Sequence, residues 1–481
     1  MALRLYNTLS RSLEEFRPLS PPSVGMYNCG PTVYSEPTIG NFRAFLMADL
    51  LRRVFDRQGL EVTQVMNITD VGHMTVDDLA DAQGEDKLEQ RAREKGLDPW
   101  ALARYYEEVF FDNLEFLGLR RAQHYPRATD HIPEMVELIK RLLEKGHAYV
   151  VEGAGIYFRV ASFPEYGVLS GNTLDDLDAG ARIEVDERKE SPHDFALWKV
   201  DPKHLMQWPS PFGEGFPGWH IECSAMSRKY LGDSFDVHTG GEDNIFPHHE
   251  CERAQSLCST SGSFAHTWIH TRFLLVDGAK MSKSRGNFLT VSDLVERGYG
   301  GAEIRYALIA TNYRQQANFT LEALEGASKA VERLRTFRER IEGISREGEA
   351  GEPRARLREV VEEAGGSFDA NIENDLNLSG ALGVVHENVR AFNRENLNAG
   401  EARLALAWLG ACDAILGVIG GGAESAAVEE LTDGERAWIA AREEARSRGD
   451  FGRADELRDL LLTHGIHVQD TPQGTRWSRQ K

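Results

Sequence analysis

A strand, a loop, a helix and a second strand follow one another within residues 24–68, and this order constrains the fold more than any other feature. Residues 24–34 predict a short buried strand that breaks at Gly30-Pro31, and residues 41–59 have the apolar spacing of an amphipathic helix. Residues 61–68 alternate and are rich in β-branched side chains, which predicts a second strand parallel to the first. The chain therefore begins with a right-handed βαβ unit.

A similar pattern returns in the middle of the chain. Residues 235–238 predict a strand that runs into a glycine-rich turn at 239–243, and a helix is expected to begin near Pro247. Ligands of parallel sheets collect at the carboxyl ends of the strands, beside helix N-termini that favour anions. We therefore expect a binding site at this edge, which would include Cys29, Thr38, Gly40, Asn41 and Thr69.

Further along the chain the pattern becomes helical. Residues 77–145 have a helical pattern, residues 321–343 and 357–393 carry the apolar stripes of a helix bundle, and a glycine-rich break at 420–424 precedes a terminal module. We predict an α/β fold whose Rossmann-like parallel-sheet catalytic domain consists of residues 1–120 and 216–280, with a connective insertion at 121–215, a loop region at 281–322, an α-helical bundle at 323–420 and a small C-terminal module at 421–481.

The basic pentapeptide Lys280-Met281-Ser282-Lys283-Ser284 is a second informative feature. Its two ammonium groups are three residues apart and have serine hydroxyls beside them. Such a segment can hold a polyphosphate and stabilise its charge in a transition state. An isolated basic string is more often hydrated surface, so the phosphate interpretation depends on the strand-end site predicted upstream.

Two candidate metal ligands are spaced for one face of a helix. His248 and Glu252 are four residues apart on the helix predicted near residue 247, so both side chains can share one ion. His249 has Arg253 at the same offset. The periodicity therefore favours His248 over His249.

Cysteines complete the candidate metal set. Cys29 and Cys223, which we expect on distant strands, would add two sulfur ligands, and zinc is the expected ion for a mixture of S, N and O ligands. Cys251, three residues after His248, is a rival ligand. Each of these residues alone could equally be an ordinary interior side chain.

Composition limits the location and partners of the chain. The formal net charge of −21 disfavours indiscriminate nucleic-acid binding, so an RNA partner must meet local basic patches. No apolar stretch approaches the roughly 20 residues needed to cross a bilayer, and residues 1–17 lack an apolar signal core. Five scattered cysteines indicate reduced thiols or metal ligands. We expect a cytoplasmic monomer with no membrane partner.

Together, these motifs resemble those of cysteinyl-tRNA synthetases over nearly the full length. Residues 27–34 with Thr38-Ile39-Gly40-Asn41, and the pentapeptide 280–284, are similar to the two signature motifs of class I aminoacyl-tRNA synthetases. Residues 218–223 and 246–250 are similar to the motifs around the metal site of the cysteine-specific family.

The resemblance implies a cysteine–tRNA ligase. L-Cysteine would be activated by ATP, accompanied by Mg²⁺, to cysteinyl-adenylate and transferred to the 3′-terminal adenosine of tRNA(Cys). One zinc ion per subunit, bound by Cys29, Cys223, His248 and Glu252, would select the substrate thiolate over an alcohol. Residues 281–322 would contact the tRNA stem, 323–420 would bind tRNA, and 421–481 would bind the anticodon.

The resemblance also implies roles for individual residues. These are catalysis for Thr38, Gly40, Asn41, Lys280 and Lys283; ATP binding for Gly40, Asn41, Gly240, Gly241, Asp243 and Lys283; and amino-acid binding for Thr69, Trp219 and His238.

The first signature departs from the usual His-Ile-Gly-His of the family at both ends. Asn41 still offers an amide donor, and family members do place asparagine there. Thr38 is shorter and uncharged, and loss of one preorganised donor can cost about 3 kcal/mol, or roughly a hundredfold in rate. Either activation is slow, or a neighbour such as His73 compensates.

Two other functions fit parts of the sequence. A paralogue that ligates cysteine to a small-molecule amine, as in mycothiol biosynthesis, would need neither the helical bundle nor the terminal module. A non-catalytic, zinc-stabilised RNA-binding protein would fit the altered first signature but not the two lysines of the pentapeptide. Residues 470–477 resemble the synthetase C-terminus, where Trp477 could stack on an unpaired base or cap a pair of helices.

Overall fold

The chain forms two compact units. The computed structural model describes residues 2–76, 80–81, 83–172, 188–282, 286–349, 351–420, 433–448, 450–463, 466–471 and 474–479. One unit contains residues 1–291 and 300–422, and the other contains residues 292–299 and 423–481. No helix among the described residues combines the length and apolar character needed to cross a membrane.

The strands are mostly short. In chain order they are β1 (Arg4–Asn7), β2 (Ser12–Glu15), β3 (Ser23–Asn28), β4 (Glu61–Met66), β5 (Met74–Val76), β6 (Gln83–Asp86), β7 (Ala148–Val151), β8 (Gly155–Phe158), β9 (Phe195–Lys199), β10 (Phe216–Pro217), β11 (Ser234–Gly241), β12 (Phe264–Thr271), β13 (Leu274–Val276), β14 (Ala279–Lys280), β15 (Ala317–Phe319), β16 (Ile466–Thr471) and β17 (Gly474–Arg479).

The longest helix among the described residues, α9 with 27 residues, lies in the C-terminal half of the larger unit. In chain order they are α1 (Ile39–Arg57), α2 (Lys87–Lys95), α3 (Pro99–Phe116), α4 (Ile132–Glu144), α5 (Trp219–Leu231), α6 (Glu250–Ser259), α7 (Val291–Glu296), α8 (Gly301–Ile309), α9 (Leu321–Glu347), α10 (Ala355–Glu373), α11 (Leu378–Phe392), α12 (Ala399–Leu416), α13 (Asp433–Ser447) and α14 (Phe451–Thr463).

A parallel sheet in the order β12-β11-β3-β4 forms the centre of the larger unit. Tyr27 of β3 is aligned with Val65 of β4 on one side and with His238 of β11 on the other. Helix α1 connects β3 to β4 and buries its apolar side against the sheet. The predicted βαβ unit and α/β fold are confirmed, and the carboxyl ends of all four strands lie at one edge.

Two smaller sheets flank this core. Strands β7 to β10 form an antiparallel sheet in the order β10-β9-β8-β7. Three of its strands lie inside the segment predicted as an insertion, residues 121–215, and β10 lies just after it. Strands β5 and β6 pair as an antiparallel hairpin before α2 begins at Lys87. The prediction of a helical pattern from residue 77 onward is therefore wrong at its start, because Asp86 caps α2 with its carboxylate and ends the hairpin there.

Helices α9 to α12 pack together, as the apolar stripes predict. Their buried faces contain leucine, alanine, valine and phenylalanine side chains at helical spacing. In the smaller unit, α13 and α14 lie within the segment predicted as a C-terminal module, and the β16–β17 hairpin joins them. Ile439, Leu461 and Ile466 form the core of this unit.

A buried ion pair joins the first helix of the sheet domain to the start of the helical region. Arg305 of α8 places Nη2 2.6 Å from Oδ2 of Asp49 on α1, and the two side chains are 0% and 1% exposed. Arg305 also donates from Nε to the carbonyl of Leu416, at the end of α12, over 2.6 Å. Asp49 accepts a second charged bond from Arg53 at 2.8 Å. The guanidinium therefore fastens α1, α8 and α12 at one point.

Loss of this guanidinium should destabilise the larger unit strongly. We expect Arg305→Met to lower its free energy of unfolding by about 3–5 kcal/mol, because the carboxylate of Asp49 stays buried after losing a partner. Urea unfolding monitored by circular dichroism measures the change. The control is Arg338→Met, which removes an exposed pair with Glu342 and should cost under about 1 kcal/mol. Equal losses in both variants would contradict this view.

Candidate functional site

A cleft of about 330 Å³ opens at the carboxyl edge of the parallel sheet. Segments that follow β3, β4, β11 and β12 line it, together with the start of α1 and the beginning of the basic pentapeptide. Of the residues predicted from sequence, those lining the cleft are Cys29, Thr38, Gly40, Asn41, Thr69, Trp219, Gly241, Asp243, His248 and Lys280. Lys283 lies outside the described residues.

Four predicted ligands meet at the inner end of this cleft. The ligand atoms of Cys29, Cys223, His248 and Glu252 all lie within 4.8 Å of one another. Nε2 of His248 is 3.1 Å from Oε1 of Glu252, and Sγ of Cys29 is 3.8 Å from the same oxygen. Two sulfurs, one nitrogen and one oxygen match the donor types that proteins use for zinc. The cluster could therefore hold a metal ion.

Secondary structure brings the ligands together in a way that differs partly from the prediction. Cys29 directly follows β3, as expected. Cys223 lies in the first half of helix α5, so its expected place on a strand is wrong. Gly30 allows the loop after Cys29 to approach β4 closely, since a Cβ at this position would lie 1.8 Å from the carbonyl oxygen of Asn67. The sulfurs thus approach the cluster from a strand end and a helix.

His249 is also close to the cluster. Its Nε2 is 3.0 Å from Sγ of Cys29 and 3.9 Å from Oε1 of Glu252, and a second ligand group consists of Cys29, His238, His249 and Glu252. Residues 245–249 form a π turn, so the α-helical offset used to discount His249 does not apply to it. Periodicity alone therefore cannot choose between the two histidines. Cys251 belongs to neither group, and its Sγ lies 3.3 Å from the hydroxyl of Tyr166.

Burial sets the electrostatics of the cluster. It raises the pKa of the Cys29 thiol well above its usual range and that of Cys223 to about 11. Burial also raises the pKa of Glu252 and lowers that of His248 well below its usual value. In all four groups the pKa shifts because the buried, water-poor surroundings disfavour the charged form. A bound cation would oppose this desolvation for the thiols and the carboxyl group, because it stabilises their anionic forms.

Further polar groups that sequence reasoning did not assign surround the ligands. Nδ1 of His220 is 2.9 Å from Nδ1 of His248, and burial lowers the pKa of His220 to about 4. Oε2 of Glu222 accepts a bond of 2.9 Å from the hydroxyl of Thr69. His220 could have been found from its position three residues before Cys223, which places both on one side of a helix. No comparable spacing singled out Glu222.

His238 occupies a different place from Thr69 and Trp219. Its Nε2 lies 2.9 Å from Oε2 of Glu252, both side chains are fully buried, and the residue is not among those lining the cleft. Thr69 and Trp219 do line the cleft. His238 is therefore placed to orient the Glu252 carboxylate from behind.

At the other end of the cleft, Thr38 and Asn41 form the cap of α1. The hydroxyl of Thr38 donates to Oδ1 of Asn41 over 2.7 Å, and the Asn41 backbone N–H donates back to that hydroxyl over 3.2 Å. The Thr38 backbone N–H also donates to Oδ1 of Asn41 over 2.9 Å. In this arrangement the hydroxyl hydrogen of Thr38 is directed at Asn41 rather than into the cleft.

The two predicted signature motifs lie side by side. A Cβ on Gly40 would be 2.6 Å from Cε of Met281, in the basic pentapeptide. Nζ of Lys280 lies 4.7 Å from the centre of the Phe273 ring and lines the cleft. Gly241 and Asp243 line the cleft too, whereas Gly240 packs against His249 behind it. The start of α1, the first two residues of the pentapeptide and the turn after β11 thus border one space.

Comparison with known proteins agrees with this geometry. Residues 15–329 match the family model described as the tRNA synthetases class I (C) catalytic domain, and residues 428–477 match the cysteinyl-tRNA ligase anticodon binding domain. The fold is similar to that of the methionyl-tRNA synthetase of Mycobacterium tuberculosis bound by methionyl-adenylate, with a TM-score of 0.59, 15% identity and coverage of 82% of this chain and 90% of that one. The fold and the site define a class I aminoacyl-tRNA synthetase.

Full-length relatives specify the family. The chain is 44% identical to the cysteine–tRNA ligase of Salinibacter ruber, over 99% of this chain and 98% of the relative. It is 43% identical to that of Symbiobacterium thermophilum and 42% identical to that of Thermus thermophilus, with full coverage of both chains in each case. The chain belongs to the cysteine–tRNA ligase family, and it is therefore an ATP-dependent ligase. The predicted family is confirmed.

The Thr38 cap gives a local test of the site geometry. We expect Thr38→Val to lower the free energy of unfolding by about 1 kcal/mol, because it removes the hydroxyl that caps α1. Thr38→Ser keeps a hydroxyl and should stay near wild type. Hydrogen–deuterium exchange should be faster in the first turn of α1 in the valine variant alone. Equal exchange in both variants would contradict the assigned cap.

Proposed function

We propose that the protein activates L-cysteine with ATP to cysteinyl-adenylate and transfers the cysteinyl group to the 3′-terminal adenosine of tRNA(Cys). The observation that carries this proposal is the meeting of two thiols, an imidazole and a carboxyl group at the inner end of a cleft. Lys280 and Met281, which begin the basic pentapeptide, border the outer end of that cleft. The names of the full-length relatives and the match to an anticodon-binding domain support the same reaction.

The metal would explain how cysteine is chosen. We propose that zinc is held by Cys29, Cys223, His248 and Glu252. In this site His220 would orient His248, and His238 would orient Glu252, each through a contact of 2.9 Å. When bound, zinc would supply a Lewis acid that accepts a thiolate sulfur far more readily than an alcohol. An apolar pocket alone discriminates poorly against an isostere, so this chemistry removes the need for a proofreading domain.

The residues at the outer end would handle ATP. Gly40 allows the nucleotide to approach the start of α1, where the helix N-terminus favours anionic groups. Asn41 keeps its carboxamide oxygen on Thr38 and so has its amide nitrogen to offer to a phosphate or hydroxyl oxygen. Gly241 and Asp243 would receive the ribose, while Gly240 would keep the backbone of this turn close to His249.

Charge stabilisation would come from the pentapeptide. Attack of the cysteine carboxylate on the α-phosphorus forms a mixed anhydride and releases pyrophosphate, which leaves with Mg²⁺. The ammonium groups of Lys280 and Lys283 would stabilise the charge that spreads over the phosphate oxygens. Holding the two reactants in line supplies the rest of the acceleration. No covalent bond to the protein is required.

Two alternatives give different biochemical results. A paralogue that uses a small amine would show cysteine-dependent ATP–pyrophosphate exchange but would not charge tRNA. A non-catalytic RNA-binding protein would show no exchange. The family match over the C-terminal residues 428–477 favours the tRNA acceptor, because this region is described as an anticodon-binding domain.

Exchange and charging assays test the proposed reaction. We expect exchange that depends on cysteine and is at least about 10⁴-fold weaker with serine, because the metal accepts a thiolate but hardly deprotonates an alcohol. We also expect charging of a tRNA(Cys) transcript. Charging should fail with a transcript altered in its anticodon loop or with a chain truncated at residue 420, while exchange continues. Exchange without charging in the full chain would favour the small-amine alternative.

Ligand replacement tests the metal site. Cys29→Ser should lose zinc, from about one ion per chain to well below that level, and should raise the KM for cysteine by at least about tenfold. The matched control is Cys251→Ser, which changes a buried cysteine outside both ligand groups. Elemental analysis after gel filtration in chelator-free buffer gives the stoichiometry. Full zinc content in Cys29→Ser would contradict the assigned ligand set.

A further inference from the structure

Three stacked rings join a surface hairpin to the candidate metal site. The Trp219 ring lies between the imidazoles of His73 and His248, with both ring-centre distances at 4.3 Å and interplanar angles of 14° and 28°. His248 is a candidate metal ligand, and Trp219 lines the cleft. His73 belongs to the segment just before β5, which the family-like motifs do not include. His73, which lies outside those motifs, therefore supports one face of the predicted amino-acid pocket.

Hydrogen bonds fix the orientation of the His73 ring. Its Nε2 is 3.2 Å from Nζ of Lys87, and its Nδ1 is 3.0 Å from the hydroxyl oxygen of Thr32. An ammonium group can only donate, so Nε2 must accept and the hydrogen resides on Nδ1, which donates to Thr32. The two bonds act at opposite sides of the ring. They hold its plane in the orientation that places its face on Trp219.

The backbone around His73 is fixed as well. The N–H of Lys87 donates to the carbonyl of His73 over 2.8 Å, at the base of the β5–β6 hairpin. The N–H of Gly72 donates to Oδ2 of Asp86 over 2.8 Å, and the same carboxylate caps α2. His73 itself is only 8% exposed. Its ring is thus held through both the main chain and the side chain.

We propose that His73 is a positioning residue that holds the Trp219 ring in the amino-acid pocket, through ring stacking whose direction is set by Lys87 and Thr32. This inference rests on the proposed function, because it assigns the affected substrate as cysteine. Trp219 has His248 on its other face, so a displaced indole would open the pocket beside the metal ligand. The role differs from compensation for Thr38, because both ring nitrogens of His73 already face Thr32 and Lys87.

Two substitutions separate stacking from hydrogen bonding. His73→Phe keeps a flat ring and loses both nitrogen bonds, whereas His73→Asn keeps a polar group and loses the ring face. In cysteine-dependent ATP–pyrophosphate exchange we expect His73→Asn to raise the KM for cysteine by about five- to tenfold, with the KM for ATP within about twofold of wild type. We expect His73→Phe to raise the KM for cysteine by at most about threefold, because it keeps the ring face although Lys87 and Thr32 no longer set its direction, and to leave the KM for ATP unchanged. The control is His266→Asn, which changes an exposed histidine on β12.

A spectroscopic readout follows the indole without any reaction. In protein labelled with 5-fluorotryptophan, Trp219→Phe identifies one of the eight tryptophan ¹⁹F resonances. We expect this resonance to broaden in His73→Asn, because the indole gains mobility, in addition to the shift that loss of the neighbouring ring current causes by itself. The line should stay sharp in His73→Phe and His266→Asn, with the other seven unchanged. A Trp219 resonance as sharp in His73→Asn as in wild type would overturn the proposal.

The kinetic outcomes divide in the same way. A change in kcat or in the KM for ATP, without a change in the KM for cysteine, would also overturn the positioning role and would support compensation for Thr38. Equal damage in His73→Phe and His73→Asn would show that stacking is not what matters. If the wild-type protein shows no cysteine-dependent exchange, the proposed function fails, and the ¹⁹F measurement still decides whether His73 holds Trp219.

Discussion

Burying two thiols, an imidazole and a carboxyl group side by side costs free energy unless a cation compensates, and the rest of the site is built around this constraint. The ligand atoms of Cys29, Cys223, His248 and Glu252 lie within 4.8 Å of one another. Burial shifts the pKa of each group in the direction that favours its neutral form. Such a cluster is poor packing but a good ligand set. The surrounding histidines and the Trp219 stack are placed to orient these ligands.

The nucleotide end of the cleft depends on the placement of a single helix. The first turn of α1 carries the Thr38 cap and Asn41, and roughly 15 Å further along the same helix Asp49 meets Arg305 in the interior. That ion pair also holds the carbonyl at the end of α12. The helical region is thereby tied to the helix whose N-terminus borders the cleft.

The sequence predicted the parts of the molecule that depend on local pattern. Alternation and helical spacing identified β3, α1 and β4, and an i, i+4 spacing placed His248 beside Glu252. It could not predict that residues 245–249 would form a π turn that brings His249 to the same cluster, because Cys29, which His249 contacts there, is 220 residues away in the chain. The partners of His73 were also missed, since contacts between distant segments leave no periodic signal. The strands of the β5–β6 hairpin have three and four residues, which is too short to show alternation.

Absorption spectroscopy of the cobalt-substituted protein reports directly on the proposed sulfur ligands. Cobalt(II) in place of zinc shows thiolate ligands as charge-transfer bands, and we expect such bands from Cys29 and Cys223 in the resting protein. Addition of L-cysteine should strengthen them at a stoichiometry of one per chain, and addition of L-serine should leave them unchanged. A spectrum without sulfur charge-transfer bands, or one that responds equally to both amino acids, would contradict a metal site that selects cysteine through its sulfur.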